Sequence, residues 1–92
     1  MKRQRKSTPL PAALLDKLVD FLLTLKTRKD VTGFLKAILT PRELAEISTR
    51  LEIVRLLKRN LPQREVARLL KVGVATVTRG ARELRLGHFR NV

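Results

Sequence analysis

The sequence contains no cysteine, tryptophan or tyrosine, and it has a single histidine. Without cysteine, a disulfide framework, a thiolate zinc site and a cysteine nucleophile are all excluded. Three phenylalanines are the only aromatic side chains, so the aromatic stacking surfaces of proteins that hold single-stranded nucleic acids are not expected. No apolar run approaches the roughly 20 residues that a membrane-spanning helix needs. These absences argue against disulfide-rich, thiolate-dependent, single-strand-binding and membrane-spanning proteins.

Acidic residues are also scarce, since eight Asp and Glu stand against 21 Lys and Arg, for a formal net charge of +13. The 92 residues suffice for one small domain, and 43% hydrophobic residues are too many for a disordered chain. The basic N-terminus is followed by no apolar stretch or cleavage site typical of a signal peptide. We therefore expect a folded cytoplasmic protein whose partner is a polyanion.

The chain divides into a basic arm, residues 1–7, and a single helical domain, residues 8–92. The arm has no apolar anchor and is expected to be disordered, either as a solubilising tail or as an arm that contacts DNA. Thr8 and Pro9 predict the start of a first helix. Apolar residues then cover most of its circumference: Leu14, Leu15, Leu18, Val19, Phe21, Leu22, Leu23 and Leu25. A helix this apolar needs more cover than a small monomer easily supplies.

Two further helices are predicted before residue 60. Asp30 is placed to cap a short second helix, and the run Thr40-Pro41-Arg42-Glu43 is typical of a capping box. The third helix should run to about Arg59 and end before Pro62, because proline cannot continue a helix. Its apolar stripe is expected at Leu44, Ile47, Leu51, Val54 and Leu57.

Residues 63–84 predict a helix-turn-helix of two short helices, 63–70 and 74–84. Val66, Leu69 and Leu70 should point inward with the small Ala67 between them, and Gly73 in the turn is available for a positive φ. No β-strand is indicated anywhere. The expected fold is therefore all-α, with about five helices.

The helix-turn-helix coincides with positive charge, because seven basic and two acidic residues follow residue 62. The second helix opens with short side chains that allow close entry into a DNA major groove, while the first would meet the sugar-phosphate backbone. Together these features predict double-stranded DNA binding. The candidate DNA-binding residues are Gln63, Arg64, Gly73, Val74, Ala75, Thr76 and Thr78.

An enzyme is not indicated. His88 has no acidic residue beside it in the sequence and is interpreted as a surface residue rather than a general base. No acidic cluster suggests a metal site for nuclease chemistry. We expect no catalytic residues and no metal.

Several segments resemble the Trp repressor family over about residues 10–86: Leu39-Thr40-Pro41, Thr49-Arg50, Gln63-Arg64-Glu65 and, most specifically, the run G-V-A-T-V-T-R-G at 73–80. The resemblance implies a homodimer with interlocked N-terminal helices, a sequence-specific transcriptional repressor of an operator, and L-tryptophan as corepressor. An ordinary monomeric bundle is the simpler alternative for the fold. For function, the alternatives are a regulator on the same fold with another ligand or none, and a nucleoid or plasmid-maintenance protein that coats DNA.

The resemblance also implies a ligand site. Arg50 and Arg79 match the arginines on either face of the indole, Leu39 and Thr40 match the chain end whose carbonyls take the ammonium, and Gly80 lines the slot. Glu83 stands where the family usually has a serine, and it would either pair with the ammonium or fill the slot by bonding Arg79. From the residues alone, Arg50 is equally a surface charge near Glu46, and Arg79 a phosphate contact. The family's last helix is reduced here to residues 85–92.

Overall fold

The computed structural model describes residues 11–92, which form five helices and no strand. The expected arm and the expected helix start at Thr8 and Pro9 lie outside these described residues. The helices are α1 (Ala12–Leu22), α2 (Arg28–Ile38), α3 (Pro41–Lys58), α4 (Gln63–Leu70) and α5 (Val74–Arg85). The prediction of an all-α fold with about five helices is confirmed. None of the described helices is long and apolar enough to cross a membrane.

The chain divides into two compact units, one that ends at Ile38 and one from Leu39 to Val92. In the first unit, the rings of Phe21 on α1 and Phe34 on α2 pack with their centroids 4.9 Å apart. The hydroxyl oxygen of Thr27 accepts the Asp30 amide proton at 3.0 Å, so Thr27 caps α2. The expectation that Asp30 is the cap was wrong, because Asp30 lies in the first turn, where its negative charge favours the positive end of the helix dipole.

Helix α1 has no buried residue. Its apolar side chains are exposed over most of the helix, with Leu14 and Phe21 at 55% and 48% of their full exposure, and Leu23 at its C-cap is 77% exposed. Burial of an apolar side chain of this size stabilises by about 1.5–3 kcal/mol. In the described part of the chain, this helix therefore leaves nearly half of its apolar side-chain surface exposed to solvent.

The core of the second unit lies where α3, α4 and α5 meet. It is built from Ile53 and Leu56 of α3, Val66 and Ala67 of α4, and Val77 of α5. The predicted apolar stripe of α3 is only partly covered within the second unit: of its five residues only Val54 is buried, and Ile47 and Leu51 are 46% and 38% exposed. Helix α3 is apolar on two sides, and the side that carries Ile53 faces α4 and α5.

Helix α4 buries Val66 and packs Leu70 against the core as expected, but not Leu69. Ala67 is 6% exposed, whereas Leu69, expected to point inward, is 46% exposed. A two-turn helix has room for one narrow buried face, and Val66, Ala67 and Leu70 occupy it at i, i+1 and i+4. The small Ala67 allows the close approach of its neighbours.

The capping box at the start of α3 is confirmed. The amide of Glu43 donates to the Thr40 hydroxyl oxygen at 3.1 Å, and the amide of Thr40 donates to the Glu43 carboxylate at 2.9 Å. The helix ends at Lys58 as expected, and Asn60 then turns the chain with a φ of 67°. The third helix therefore begins and ends where the sequence indicates.

The turn of the helix-turn-helix reverses at Lys71 rather than at Gly73. Lys71 adopts the left-handed conformation with φ 57° and ψ 45°, while Gly73 has φ −70° and ψ 149° and lies at the N-cap of α5. The expectation of a positive φ at Gly73 was wrong, because the reversal takes place at the C-cap of α4, two residues earlier. Gly73 instead leaves open space before the first turn of α5, since a Cβ there would meet no atom within 4 Å.

Candidate functional site

The first turns of α5 present a surface of short side chains to solvent. Val77 and Ala81 are buried and fix the helix against α3 and α4. The residues on its other side are exposed, namely Val74, Ala75, Thr76 and Thr78. A helix face of small side chains on a rigid support has the shape required to enter a major groove.

The start of α4 lies beside this surface. Thr78 on α5 donates its hydroxyl proton to the carboxamide oxygen of Gln63 at 2.8 Å, and Arg64 next to Gln63 is exposed. Neither α4, which follows Pro62, nor α5, which follows Gly73, has a side-chain cap. Free first-turn amides at the positive end of a helix favour anions such as phosphate groups. The structure thus brings together the seven candidate DNA-binding residues in one helix-turn-helix.

A pocket of about 670 Å³ lies between α3 and α5 in the second unit. Its polar lining residues are Arg42, Glu46, Thr49, Arg50, Thr76, Arg79 and Glu83. Its other lining residues are Ala45, Ile53, Val54, Val72, Gly80 and Phe89. The pocket therefore combines charges of both signs with apolar walls, as sites for small polar organic molecules do.

Four of the six predicted ligand residues line this pocket, namely Arg50, Arg79, Gly80 and Glu83. Leu39 and Thr40 are not among its lining residues, and the side chain of Thr40 is engaged in the capping box. Thr76, predicted to contact DNA, lines the pocket as well as being exposed.

Two of the three arginines of the pocket, Arg50 and Arg79, are free to bind an anion. Within residues 11–92, neither Arg50 nor Arg79 takes part in an ion pair. Glu46, the carboxylate expected near Arg50, instead contacts Arg42 at 3.5 Å. A guanidinium without a carboxylate partner supplies strong paired donors to the carboxylate of a ligand.

Glu83 is bonded away from Arg79. Its Oε1 lies 2.5 Å from His88 Nδ1, and its Oε2 lies 3.5 Å from Arg82 Nη1. The carboxylate therefore does not close the pocket through a bond to Arg79. It lines the pocket as a negative group fixed by its own neighbours.

Sequence reasoning missed two residues beyond α5. His88 is a surface residue as expected, with 59% of its side chain exposed, but its contact with Glu83 and the place of Phe89 in the pocket lining were not anticipated. Gly87 turns the chain with a φ of 85°, and Lys58 Nζ fixes the following segment by donating to the main-chain oxygen of Val92 at 2.7 Å. A glycine directly after a predicted helix was the available signal that the chain folds back there.

Gly80 sets the distance between α5 and α3 at the pocket. A Cβ at this position would lie 2.9 Å from Cγ2 of Ile53, and Ile53 is only 1% exposed. The missing side chain therefore allows the close packing of the two helices and keeps the adjoining pocket open.

Within the described part of the chain, no cluster of three or more metal-ligating side chains is present.

The sequence matches the family model described as "Trp repressor protein" over residues 13–89. It is 40% identical over 70 residues to the Trp operon repressor homolog of Vibrio vulnificus, which covers 75% of this chain and 69% of that protein. It is 44% identical over 54 residues to the homolog of Actinobacillus succinogenes, with 58% of this chain and 54% of that protein covered. The homolog of Mannheimia succiniciproducens is 45% identical over 53 residues, with 56% of this chain and 52% of that protein covered. No solved structure gives a significant match.

The family match spans both compact units and contains all of the pocket-lining residues. It includes the capping box, the helix-turn-helix and the segment with His88 and Phe89. This chain belongs to the Trp repressor family, and it is a transcriptional regulator of the Trp repressor type.

Proposed function

We propose that this protein is a homodimeric, sequence-specific DNA-binding repressor that takes L-tryptophan as its corepressor. The observation that carries the proposal is the double role of α5. One side of this helix presents Val74, Ala75 and Thr78 to solvent, and another lines the pocket with Arg79 and Gly80. Anything bound in the pocket therefore contacts the same rigid helix that would enter DNA.

Binding to duplex DNA is supported by three features together: the net positive charge, the shape of the α5 surface, and the uncapped first turns of α4 and α5. The chain carries +13, the candidate surface of α5 has short side chains, and the first turns of α4 and α5 lack side-chain caps. In a dimer, the two copies of α5 would lie in successive major grooves, about 34–36 Å apart as in helix-turn-helix dimers, the Trp repressor among them. Such a protein acts in the cytoplasm, at the bacterial nucleoid.

A homodimer is supported by the unburied apolar surface of α1. Leucines and a phenylalanine at 39–55% exposure along α1 are costly for a monomer in water. A second copy of the same helix would cover them symmetrically. Sedimentation equilibrium should give twice the chain mass of 10.5 kDa at micromolar concentration, and a stable folded monomer there would rule the dimer out.

L-Tryptophan fits the chemistry of the pocket. The planar guanidiniums of Arg50 and Arg79 favour stacking on an indole, and either supplies donors to the α-carboxylate. Ile53, Val54 and Phe89 offer apolar cover. Leu39 and Thr40 complete the proposed ligand set with main-chain carbonyls, as the family resemblance implies. The ligand would act only through its higher affinity for the DNA-competent arrangement of the helix-turn-helix.

The test is operator binding with and without the ligand. An operator is first selected by the protein from a random duplex library in millimolar L-tryptophan, and its affinity is then measured by fluorescence anisotropy. Arg79→Lys should remove the response to tryptophan and keep much of the affinity for random DNA, because lysine retains the charge but not the plane or the paired donors. Arg85→Lys is the matched control, since Arg85 is exposed on the same helix and does not line the pocket. Equal operator affinity with and without tryptophan would rule out tryptophan as the corepressor. The protein would then be a regulator with another ligand or none.

The large positive charge also favours a second candidate, a protein that coats DNA without sequence preference. The two functions differ in their dependence on salt and sequence. A coating protein shows a steep loss of affinity with salt and a ratio of operator to random affinity near one, whereas specific regulators reach ratios of about 10³–10⁷. Titrations of both duplexes between 50 and 200 mM salt distinguish them.

A further inference from the structure

We propose that residues 88–92 form a strap that opens from the pocket and closes over it, with Gly87 as its hinge, and that Lys58 is the positioning residue that holds it closed. Release of the strap then sets how fast the pocket exchanges a flat apolar ligand with solvent. The inference rests on the proposed function only for the choice of L-tryptophan as the probe ligand. It depends on how the chain fastens this segment to α3 and α5.

The strap runs from the end of α5 to the end of α3, the two helices between which the pocket lies. Helix α5 ends at Arg85, and Gly87 then turns the chain with a φ of 85°. At the far end of the strap, the Nζ of Lys58 donates to the main-chain oxygen of Val92 at 2.7 Å. Lys58 is the last residue of α3. The segment therefore begins on one wall of the pocket and is fastened to the other.

Phe89 is the part of the strap that reaches the pocket. It is half-buried, and it lines the pocket together with Val54 of α3 and Glu83 of α5. The pocket has a volume of about 670 Å³ with this side chain in place, so Phe89 does not fill the space that a ligand needs. An aromatic ring beside that space can pack against an apolar or aromatic ligand. The closed strap is therefore a wall of the site and not a plug.

The polar contacts that hold the strap lie at the surface. Within residues 11–92, they come from two residues. Glu83 accepts the His88 amide proton with its main-chain oxygen and contacts His88 Nδ1 with its carboxylate, and Lys58 holds the far end. A segment held by a few exposed hydrogen bonds opens locally at a low free energy. Gly87 can serve as the hinge, because glycine changes its φ and ψ without a side-chain clash.

An opening strap predicts a specific kinetic pattern. Lys58 does not line the pocket, so its bond holds the strap and not the ligand. Loss of this bond raises the open fraction of the free and of the ligand-bound protein by the same factor. A ligand that enters and leaves past the open strap then associates and dissociates faster, while its dissociation constant stays the same. A fixed wall would respond differently, because weakening it raises the dissociation rate alone.

The opening is measured first without ligand, by NMR hydrogen exchange on the full chain. Lys58→Met keeps the length of the side chain and removes its donors. The amide of His88 should then exchange about three- to tenfold faster, the factor that corresponds to the loss of one hydrogen bond, while the amide of the buried Val77 keeps its rate. Arg55→Met is the matched control, because Arg55 is exposed on the same helix and makes no hydrogen bond to the strap within the described residues. It should leave both exchange rates within about twofold.

The exchange of ligand is then followed by stopped-flow fluorescence of L-tryptophan, which has no protein background because the chain contains no tryptophan or tyrosine. Lys58→Met should raise the association and dissociation rate constants together by about three- to tenfold and leave Kd within about twofold. Phe89→Ala should instead raise Kd by up to about tenfold, because it removes apolar contact surface from the wall. Arg55→Met should change neither rate constant by more than about twofold.

The outcomes separate the strap from the proposed function. Unchanged amide exchange in Lys58→Met, or faster dissociation with unchanged association, overturns the strap and leaves the corepressor standing. Faster amide exchange in a protein that binds no L-tryptophan overturns the corepressor and supports the strap. If Lys58→Met does not fold, Gly87→Ala replaces it. An alanine at a φ of 85° is strained in the closed strap, so the His88 amide should again exchange faster, and an unchanged rate would overturn the inference.

Discussion

Thr78 and Gln63 join the two helices of the helix-turn-helix through their side chains. The Thr78 hydroxyl donates to the Gln63 carboxamide oxygen at 2.8 Å, between the first turn of α4 and the second turn of α5. The bond couples a residue of the proposed groove surface to one of the proposed backbone contact. Both residues are therefore oriented before DNA arrives, which lowers the entropic cost of binding.

We expect this bond to appear as a coupling energy in operator binding. Thr78→Val and Gln63→Ala should each weaken binding, and the double variant should lose less than the sum, by about 0.5–1.5 kcal/mol. A double-mutant cycle by fluorescence anisotropy measures the difference. The control cycle pairs Gln63→Ala with Thr76→Val, since the Thr76 side chain makes no hydrogen bond within the described residues, and it should be additive. Additivity in both cycles would contradict the prediction.

Gly80→Ala should destabilise the protein. Its new Cβ would lie 2.9 Å from Ile53 Cγ2, and overpacking of a buried site costs about 1–3 kcal/mol, against about 1 kcal/mol gained in helix propensity. Gly33→Ala is the control, because Gly33 is helical and a Cβ there meets nothing within 4 Å. That change should raise the free energy of unfolding by up to about 1 kcal/mol. Urea denaturation measures the free energy of unfolding of both variants. A Gly80→Ala protein as stable as the wild type would show that the Ile53 side chain can move aside without loss of stability.

Loss of the capping box should be measurable in the whole protein. Thr40→Ala removes the acceptor for the Glu43 amide, and the free energy of unfolding should fall by about 1 kcal/mol. Ser48→Ala is the control on the same helix. Its hydroxyl donates to the Leu44 carbonyl oxygen, a bond within the helix that adds little, so the change should stay within about 0.5 kcal/mol. Equal effects of the two variants in thermal or urea denaturation would argue against the box.

Low pH should destabilise α4, because protonation of Glu65 weakens its bond with Arg68. The hydrogen bond from Arg68 lowers the pKa of the Glu65 carboxyl below its ordinary value. The unfolded chain therefore binds this proton first as pH falls. The stabilisation is complete above the ordinary glutamate pKa and is lost as pH falls through the lower pKa of the folded state. An NMR titration should show the Glu65 pKa rising in Arg68→Ala, whereas an unchanged pKa would contradict the assigned cause.

Removal of residues 1–6 should weaken binding to all duplexes alike. This segment carries four basic residues and no acidic one, so the logarithmic salt slope should fall by at most about four. The ratio of operator to random affinity should stay the same, because phosphate contacts carry no sequence information. A changed sequence preference after the deletion would assign base contacts to the arm.

Helix ends and the helix-turn-helix were predictable from the sequence, because they depend on local chemistry. The capping box at Thr40 and the stop before Pro62 each use residues within a few positions of one another. The buried faces of α3 and α4 were less predictable, since an apolar helix offers several faces and the choice depends on distant neighbours. Ile53 and Ala67 are buried because other helices approach them, which no local pattern records.

The residues of the candidate site divide in the same way, into those that local motifs predicted and those that depend on the fold. Arg50, Arg79 and Gly80 stand in motifs and were anticipated from them. The contact between His88 and Glu83 was not, because it depends on the reversal at Gly87. The positive φ at Lys71 instead of Gly73 was missed for a related reason, since either residue of so short a turn can carry the reversal.

Most residues of α5 already contribute to the core, to the pocket or to the contact with α4. This limits the positions at which substitutions can change the DNA sequence that the helix would prefer. Val77 and Ala81 belong to the core, four residues line the pocket, and Thr78 is tied to α4. Between positions 74 and 83, only Val74, Ala75 and Arg82 are neither in the core, nor in the pocket lining, nor bonded to α4. Of these, Val74 and Ala75 stand where the helix begins. Inherited changes of DNA preference should therefore accumulate at these two adjacent positions, while the remainder of the helix changes slowly.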